Sequence, residues 1–192
     1  MADLLATPAD LASLLQRDVD TASATLALEV STAVIQAAAG QRIVQVAADT
    51  ATVFGGTDQL LALPGRPIIS VTSVTYGGVL LSQGTASGTW RLAPGGIWRD
   101  VGWTECSWEP SPVQVVYSYG YAPGAQELQL GRGVCLTLAR GLFTSPDGAI
   151  REQIDDYSVA YAEAASALAA NPSLIALVRK QYGRKAGMVR IV

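Results

Sequence analysis

Between Asp20 and Gly40 the chain carries a single charged residue, Glu29, in a segment otherwise built from Ala, Leu, Val, Ile, Ser, Thr and Gln. Asp20 suits a helix N-cap and Gly40 a left-handed stop, so a helix is predicted from about Thr21 to Ala38. Leu26, Val30, Ala33 and Ala37 form one stripe along it, and Leu28 and Ile35 lie off that stripe. A helix apolar on most of its sides is buried on most of its sides. Two arrangements satisfy this: a central core helix, or a helix with its own core on one side and a neighbouring subunit on the other.

Such a helix cannot bury itself, and the pattern around it says what joins it. Ahead of it, Thr7-Pro8-Ala9-Asp10 reads as a helix start: a capping hydroxyl, a proline at the first helical position and an acid in the first turn. A short helix through Leu11, Leu14 and Leu15 follows. From Gln41 to about Tyr121 the period becomes that of strands. Ile43–Val46, Thr50–Phe54, Leu60–Leu63, Ile68–Tyr76, Trp90–Leu92 and Val113–Tyr117 are the strand candidates, and Tyr76-Gly77-Gly78-Val79 is a two-glycine hairpin turn. The four tryptophans, at positions 90, 98, 103 and 108, all fall in this block. They are expected to plug a thin β core or cover its edge rather than stack on sugars or bases.

After Ala122-Pro123-Gly124 helical spacing returns. Leu128, Gly131, Cys135, Leu138 and Leu142 share a face, with Leu130 and Val134 widening it. Thr144 to Gly148 is turn-rich. A further helix is predicted from Val159 to Ala170, and Asn171-Pro172 starts a last one through Leu174, Leu177 and Val178. The predicted class is α+β: a helical bundle from residues 1–40 and 123–178, an inserted β-rich lobe at 41–122, and a C-terminal arm at 179–192.

The arm is Arg179-Lys-Gln-Tyr-Gly-Arg-Lys-Ala-Gly-Met-Val-Arg-Ile-Val192. It holds five of the thirteen basic residues and none of the sixteen acidic ones, so residues 1–178 carry eight basic against sixteen acidic, or −8. Arg179, Lys180, Arg184, Lys185 and Arg190 provide long-range attraction to an acidic surface. Met188, Val189, Ile191 and Val192 provide apolar area that rewards docking at about 25 cal/mol per Å².

Several functions are excluded. The chain has no histidine and two cysteines, Cys106 and Cys135, which rules out Ser-His and Cys-His nucleophiles and a common zinc site. The cysteines are expected to be free. Gly131-Arg132-Gly133 lacks the third glycine of a dinucleotide fingerprint, and the Asp155-Asp156 pair reads as a solvated turn. No enzyme activity, metal or cofactor is expected. A formal charge of −3 argues against broad nucleic-acid binding. No apolar run approaches the roughly 20 residues that span a bilayer, and no basic signal region precedes Pro8, so no membrane and a reducing cytoplasm are expected.

Taken in order, these pieces resemble the head-to-tail adaptors, or connector proteins, of long-tailed bacteriophages, particularly those of actinobacterial hosts. The matching segments are Leu4-Ala6-Thr7-Pro8-Asp10-Leu11, Leu63-Pro64-Gly65-Arg66-Pro67-Ile68-Ile69-Ser70-Val71 before Tyr76-Gly77-Gly78, Val113 to Tyr121, Gly133 to Leu142, and Ser145 to Val159. The resemblance implies a ring, typically of twelve copies, under the portal protein. Such a ring continues the channel for genomic double-stranded DNA without sequence-specific binding, and it offers a surface to the next neck protein, such as a stopper. The C-terminal segment would engage the portal, and Leu28, Ile35, Leu130 and Val134 would be candidates for contact with neighbouring subunits. The location implied is the virion neck, after assembly in the host cytoplasm. A stopper or tail-completion protein is the nearer alternative, and a monomeric carbohydrate-binding β module is one of a different class.

Overall fold

The computed structural model describes residues 4–104, 111–144, 151–154, 157–160 and 172–183. In chain order the elements are α1 (Pro8–Leu15), α2 (Thr21–Ala39), β1 (Val46–Gly55), β2 (Leu60–Ala62), β3 (Ile68–Tyr76), β4 (Val79–Leu81), β5 (Trp90–Ala93), β6 (Gly96–Arg99) and β7 (Ser111–Tyr119). A 3-10 turn (Gln126–Leu128) then leads into α3 (Gln129–Thr144), β8 (Arg151–Ile154), β9 (Tyr157–Ala160) and α4 (Pro172–Tyr182). The fold is α+β. Two compact units divide it: Met1–Val44 with Pro123–Val192, and Gln45–Ala122.

Local chemistry sets the helix ends of the first unit. The Thr7 hydroxyl accepts from the Asp10 amide at 3.2 Å, and the Asp10 carboxylate accepts from the Thr7 amide at 2.9 Å, a complete capping box. The Asp20 carboxylate accepts from the Ser23 amide at 2.8 Å, and Gly40 closes α2 at φ 68°. α2 packs on α1, α3 and α4. Its inward positions are Ala24, Ala27, Leu28, Ser31, Thr32, Ile35 and Ala39, which meet Val134, Cys135, Leu138 and Ala139 of α3 in one core. The buried Thr32 hydroxyl accepts from the Leu5 amide at 3.4 Å and lies 3.6 Å from the Cys135 sulfur. Burial pushes the Cys135 thiol above its ordinary pKa, with a smaller opposing pull from the Thr32 hydroxyl, and the thiol is free.

The second unit holds two antiparallel sheets, ordered β1-β7-β3-β4 and β2-β6-β5. Val113, Val115, Tyr117 and Tyr119 alternate inward along β7, and Val74 and Tyr76 do so at the end of β3. They share a core with Leu61, Leu63, Trp90, Ile97 and Trp103 from the second sheet and its flanks. Gly77 and Gly78, at φ 55° and 79°, make the turn that sets Tyr76 opposite Val79.

Three sequence expectations change. Tyr157–Ala160 is a strand paired with Arg151–Ile154, so Val159 does not start a helix. The short Tyr-Ser-Val-Ala run alternates, and only the alanine-rich residues after it suggested a helix. Ile43 and Val44 belong to the core of the helical unit, and β1 begins at Val46. In addition, α2 at 19 residues is long and apolar enough by length and composition to cross a membrane, although Leu28 and Ile35 in its middle are core residues of the helical unit. The expectations for Cys106, Trp108, Ser145–Gly148, Asp155-Asp156, residues 161–170 and Asn171 lie outside the described residues.

Candidate assembly surfaces

The outer face of α2 is as apolar as its inner one. Leu26, Val30, Ala33 and Ala37 are exposed, Leu26 by 62% and Val30 by 44% of their surface, while Leu28 and Ile35 are 0% and 1% exposed. Leu28 and Ile35 are therefore core residues and not surface contacts, which corrects the expectation for that pair. The reason is volume: the gap between α2 and α3 admits a leucine and an isoleucine flanked by alanines, and the helix rotates to put them there. Of the two α3 candidates, Val134 is likewise buried, whereas Leu130 is 37% exposed.

Beside Leu26 and Val30 lies an open apolar groove of about 400 Å³, completed by Ser23, Ala27, Leu142 and Phe143. The outer face of α3 exposes Leu130, Gly133, Thr137 and Arg140, with Leu136 half-buried beside them. Glu29 is the one charge on α2, and it is exposed. Both faces thus pair apolar or small side chains with a single exposed charge, acidic on α2 and basic on α3.

The start of the C-terminal arm is also corrected. Arg179 and Lys180 are exposed residues of the last turn of α4, not part of an extended segment. Tyr182 is 2% exposed, and it fixes the helix end. Its hydroxyl accepts from the Gly131 amide at 3.1 Å and donates to the Glu127 carbonyl, and its own carbonyl accepts from the Gln41 side-chain amide at 2.7 Å. Gly131 is the third residue of α3, whose amide has no intrahelical partner, so Tyr182 caps α3 from a distance in sequence. Gly183 follows, its amide donating to the Arg179 carbonyl at 2.8 Å. A side chain there would collide with that same carbonyl. Arg184, Lys185, Met188, Val189, Arg190, Ile191 and Val192 lie outside the described residues. Sequence reasoning missed Tyr182 because a tyrosine amid basic residues gives no local sign of a remote cap.

One residue further along α3, Arg132 bridges to Asp10 of α1 at 2.6 Å. Partial burial opposes ionisation of Asp10, but hydrogen bonds from Thr7 and Arg132 outweigh it and hold the carboxyl below its ordinary range.

In the β unit, Trp90 and Trp103 are buried, and their indole nitrogens donate to the carbonyls of Leu81 at 3.1 Å and Gln59 at 2.8 Å. Trp103 meets Tyr76 edge-on with ring centres 6.4 Å apart. Trp98 is half-buried, with the Arg91 guanidinium 3.9 Å from its ring centre. The Trp90 and Trp103 rings fill the core of the β unit. Among the described residues no three of His, Cys, Asp and Glu gather as a metal site.

No known protein family matches the chain, and no curated protein sequence matches it. Solved structures do match in fold. A chain from the neck of an empty gene transfer agent (GTA) particle, computed with C6 symmetry, is similar at a TM-score of 0.54 and 15% identity, covering 94% of this chain and 91% of that one. A chain from the neck of a native GTA particle, computed with C12 symmetry, is similar at 0.51 and 14% identity, covering 92% and 88%. This chain therefore shares its fold, from the first helix through the inserted β unit to the last helices, with chains found in particle necks.

Proposed function

We propose that this chain is a structural protein of a phage-type neck, a head-to-tail adaptor whose copies form a ring, typically of twelve, beneath the portal. The observation that carries the reading is the fold likeness to neck chains over nearly the full length of both partners, helices and inserted β unit together. A neck with twelvefold symmetry among the similar structures is compatible with that copy number. The apolar outer face of α2 supports a subunit with neighbours, because an isolated subunit would leave it in water. The ring would pass genomic DNA without gripping phosphates, as the acidic balance of residues 1–178 favours. The next neck protein, such as a stopper, would seat on its far side.

The segment after Gly183 is the arm that would engage the portal. The nine residues 184–192 reach at most about 30 Å when extended. Their basic side chains supply salt-sensitive attraction and their apolar ones a desolvated anchor, multiplied by one arm per subunit. The test removes residues 184–192 and mixes the protein with portal-bearing capsids. The truncated subunit should fold with unchanged melting and fail to attach. Full occupancy by the truncated protein would refute portal docking through the arm, and a native mass that stays monomeric even on capsids would refute the ring.

A further inference from the structure

We infer that Tyr182 is the positioning residue for docking through the C-terminal arm: it fixes the point from which the arm leaves the helical unit. This rests on the reading of residues 184–192 as the portal-binding arm, and it adds where that arm must find its site.

α4 has 11 residues, fewer than the roughly 12–15 an isolated helix needs to persist in water. Two of them, Val178 and Tyr182, are buried, with Leu174 and Ile175 half-buried. Helix ends fray by default, because their last carbonyls lack intrahelical partners. Here the last residue is instead tied to three separate segments: Gln41 beyond α2, Glu127 in the 3-10 turn and Gly131 in α3. Packing alone would hold such a helix from its middle. Ties gathered on the final residue hold whatever follows it.

Gly183 completes this root. Its amide donates to the Arg179 carbonyl at 2.8 Å, and a Cβ there would overlap that carbonyl. Arg179 and Lys180, exposed in the same turn, are therefore carried on a fixed backbone. Residues 184–187 separate the root from Met188, the first large apolar residue of the arm. Met188 thus stands within about 17 Å of Gly183, since each residue spans at most ~3.3–3.6 Å. The partner surface that fits is acidic, with an apolar pocket inside that radius.

Freeing the chain back to Val178 would double its length to Met188, from 5 residues to 10. The effective concentration of a tethered group falls about as the −3/2 power of tether length, so each arm would lose about threefold. A ring compounds that loss across its arms.

The test measures attachment of the full-length protein to portal-bearing capsids. Tyr182→Phe should weaken attachment of the assembled ring at least about tenfold. Inserting Gly-Ser-Gly-Ser-Gly after Gly183 keeps the Tyr182 bonds and doubles the same length. It should weaken attachment to the same extent while leaving the melting temperature unchanged. Gly55→Ala lowers stability by another route, in the β unit, and should attach as the parent does.

If Tyr182→Phe and Gly55→Ala lose attachment alike, or if the insertion attaches as the parent does, Tyr182 is a stability residue only and the inference is overturned. The arm reading then stands as long as the protein cut after Gly183 fails to attach. If the cut protein attaches with full occupancy, the arm reading fails and this inference falls with it.

Discussion

Replacing Tyr182 by phenylalanine removes one oxygen and leaves the ring in place, so it isolates the remote cap on α3. The hydroxyl joins the Gly131 amide at 3.1 Å to the Glu127 carbonyl in a site where Tyr182 is 2% exposed. A buried group left unpaired costs about 1–3 kcal/mol, and a carbonyl tolerates loss better than an amide. The expected total is therefore about 2–3 kcal/mol for the pair. At about 2–4 °C per kcal/mol for a chain of this size, Tyr182→Phe should lower the melting temperature by ~4–12 °C. Calorimetry of the variant beside the protein cut after Gly183 makes the comparison, since the cut protein keeps Tyr182 and should melt as the parent does. A Tyr182→Phe melting temperature within about 1 °C of the parent would show that the hydroxyl is not a structural cap and that the last helix is held by Val178 and the ring alone.

Two further perturbations test other contacts. Gly55→Ala sets a methyl group against the Trp103 carbonyl, closer than van der Waals contact allows, and backbone must move to relieve it. This should cost at least about 1–3 kcal/mol and change the near-ultraviolet circular dichroism of the tryptophans, with an unchanged spectrum counting against the close approach. Asp10→Asn removes the charge that accepts from Arg132 and Thr7. Because the Asp10 pKa is lowered on folding, its contribution is present above the ordinary carboxylate range and disappears as pH falls through the lowered value. The variant should be less stable at neutral pH by about 1 kcal/mol or less, and the gap should close below about pH 4 in denaturant titrations. A gap that widens on acidification would reverse the sign assigned to Asp10.

The helix ends were legible because their causes are local. Thr7, Pro8 and Asp10, and likewise Asp20 and Gly40, act within one turn of their own backbone. The Gly77-Gly78 turn and the inward alternation of β7 were legible for the same reason. The facing of α2 was not legible. Two apolar stripes run along it, and which one enters the core depends on α3, whose Cys135 and Ala139 leave room for Leu28 and Ile35. Tyr182 gives no local sign of its role, because its partners, Gln41, Glu127 and Gly131, come close only once the helices have docked. Of Leu28, Ile35, Leu130 and Val134, Leu130 is the exposed one, and the exposure of Leu26 and Val30 follows from Leu28 and Ile35 filling the core.

The pairing of β1 with β7 has a consequence for how the helical unit forms. Val46 stands opposite Tyr119, and the Gln45 amide donates to the Tyr121 carbonyl at 2.9 Å, so the inserted β unit enters and leaves at one point. While unfolded, that insertion is a loop of roughly 80 residues that α2 and α3 must close to meet. Once folded, its two ends are already neighbours, and the effective loop shrinks to about 14 residues, 40–45 and 121–128. Closure entropy grows as (3/2)RT ln n, so this contraction lowers the cost of bringing α2 to α3 by about 1.5 kcal/mol. The β unit therefore acts on the helices as a covalent staple would, and the length of sequence it contains becomes nearly irrelevant to them. Insertions at its far turns should leave the helical pairing undisturbed, so the β unit can be remodelled while the helical unit is kept.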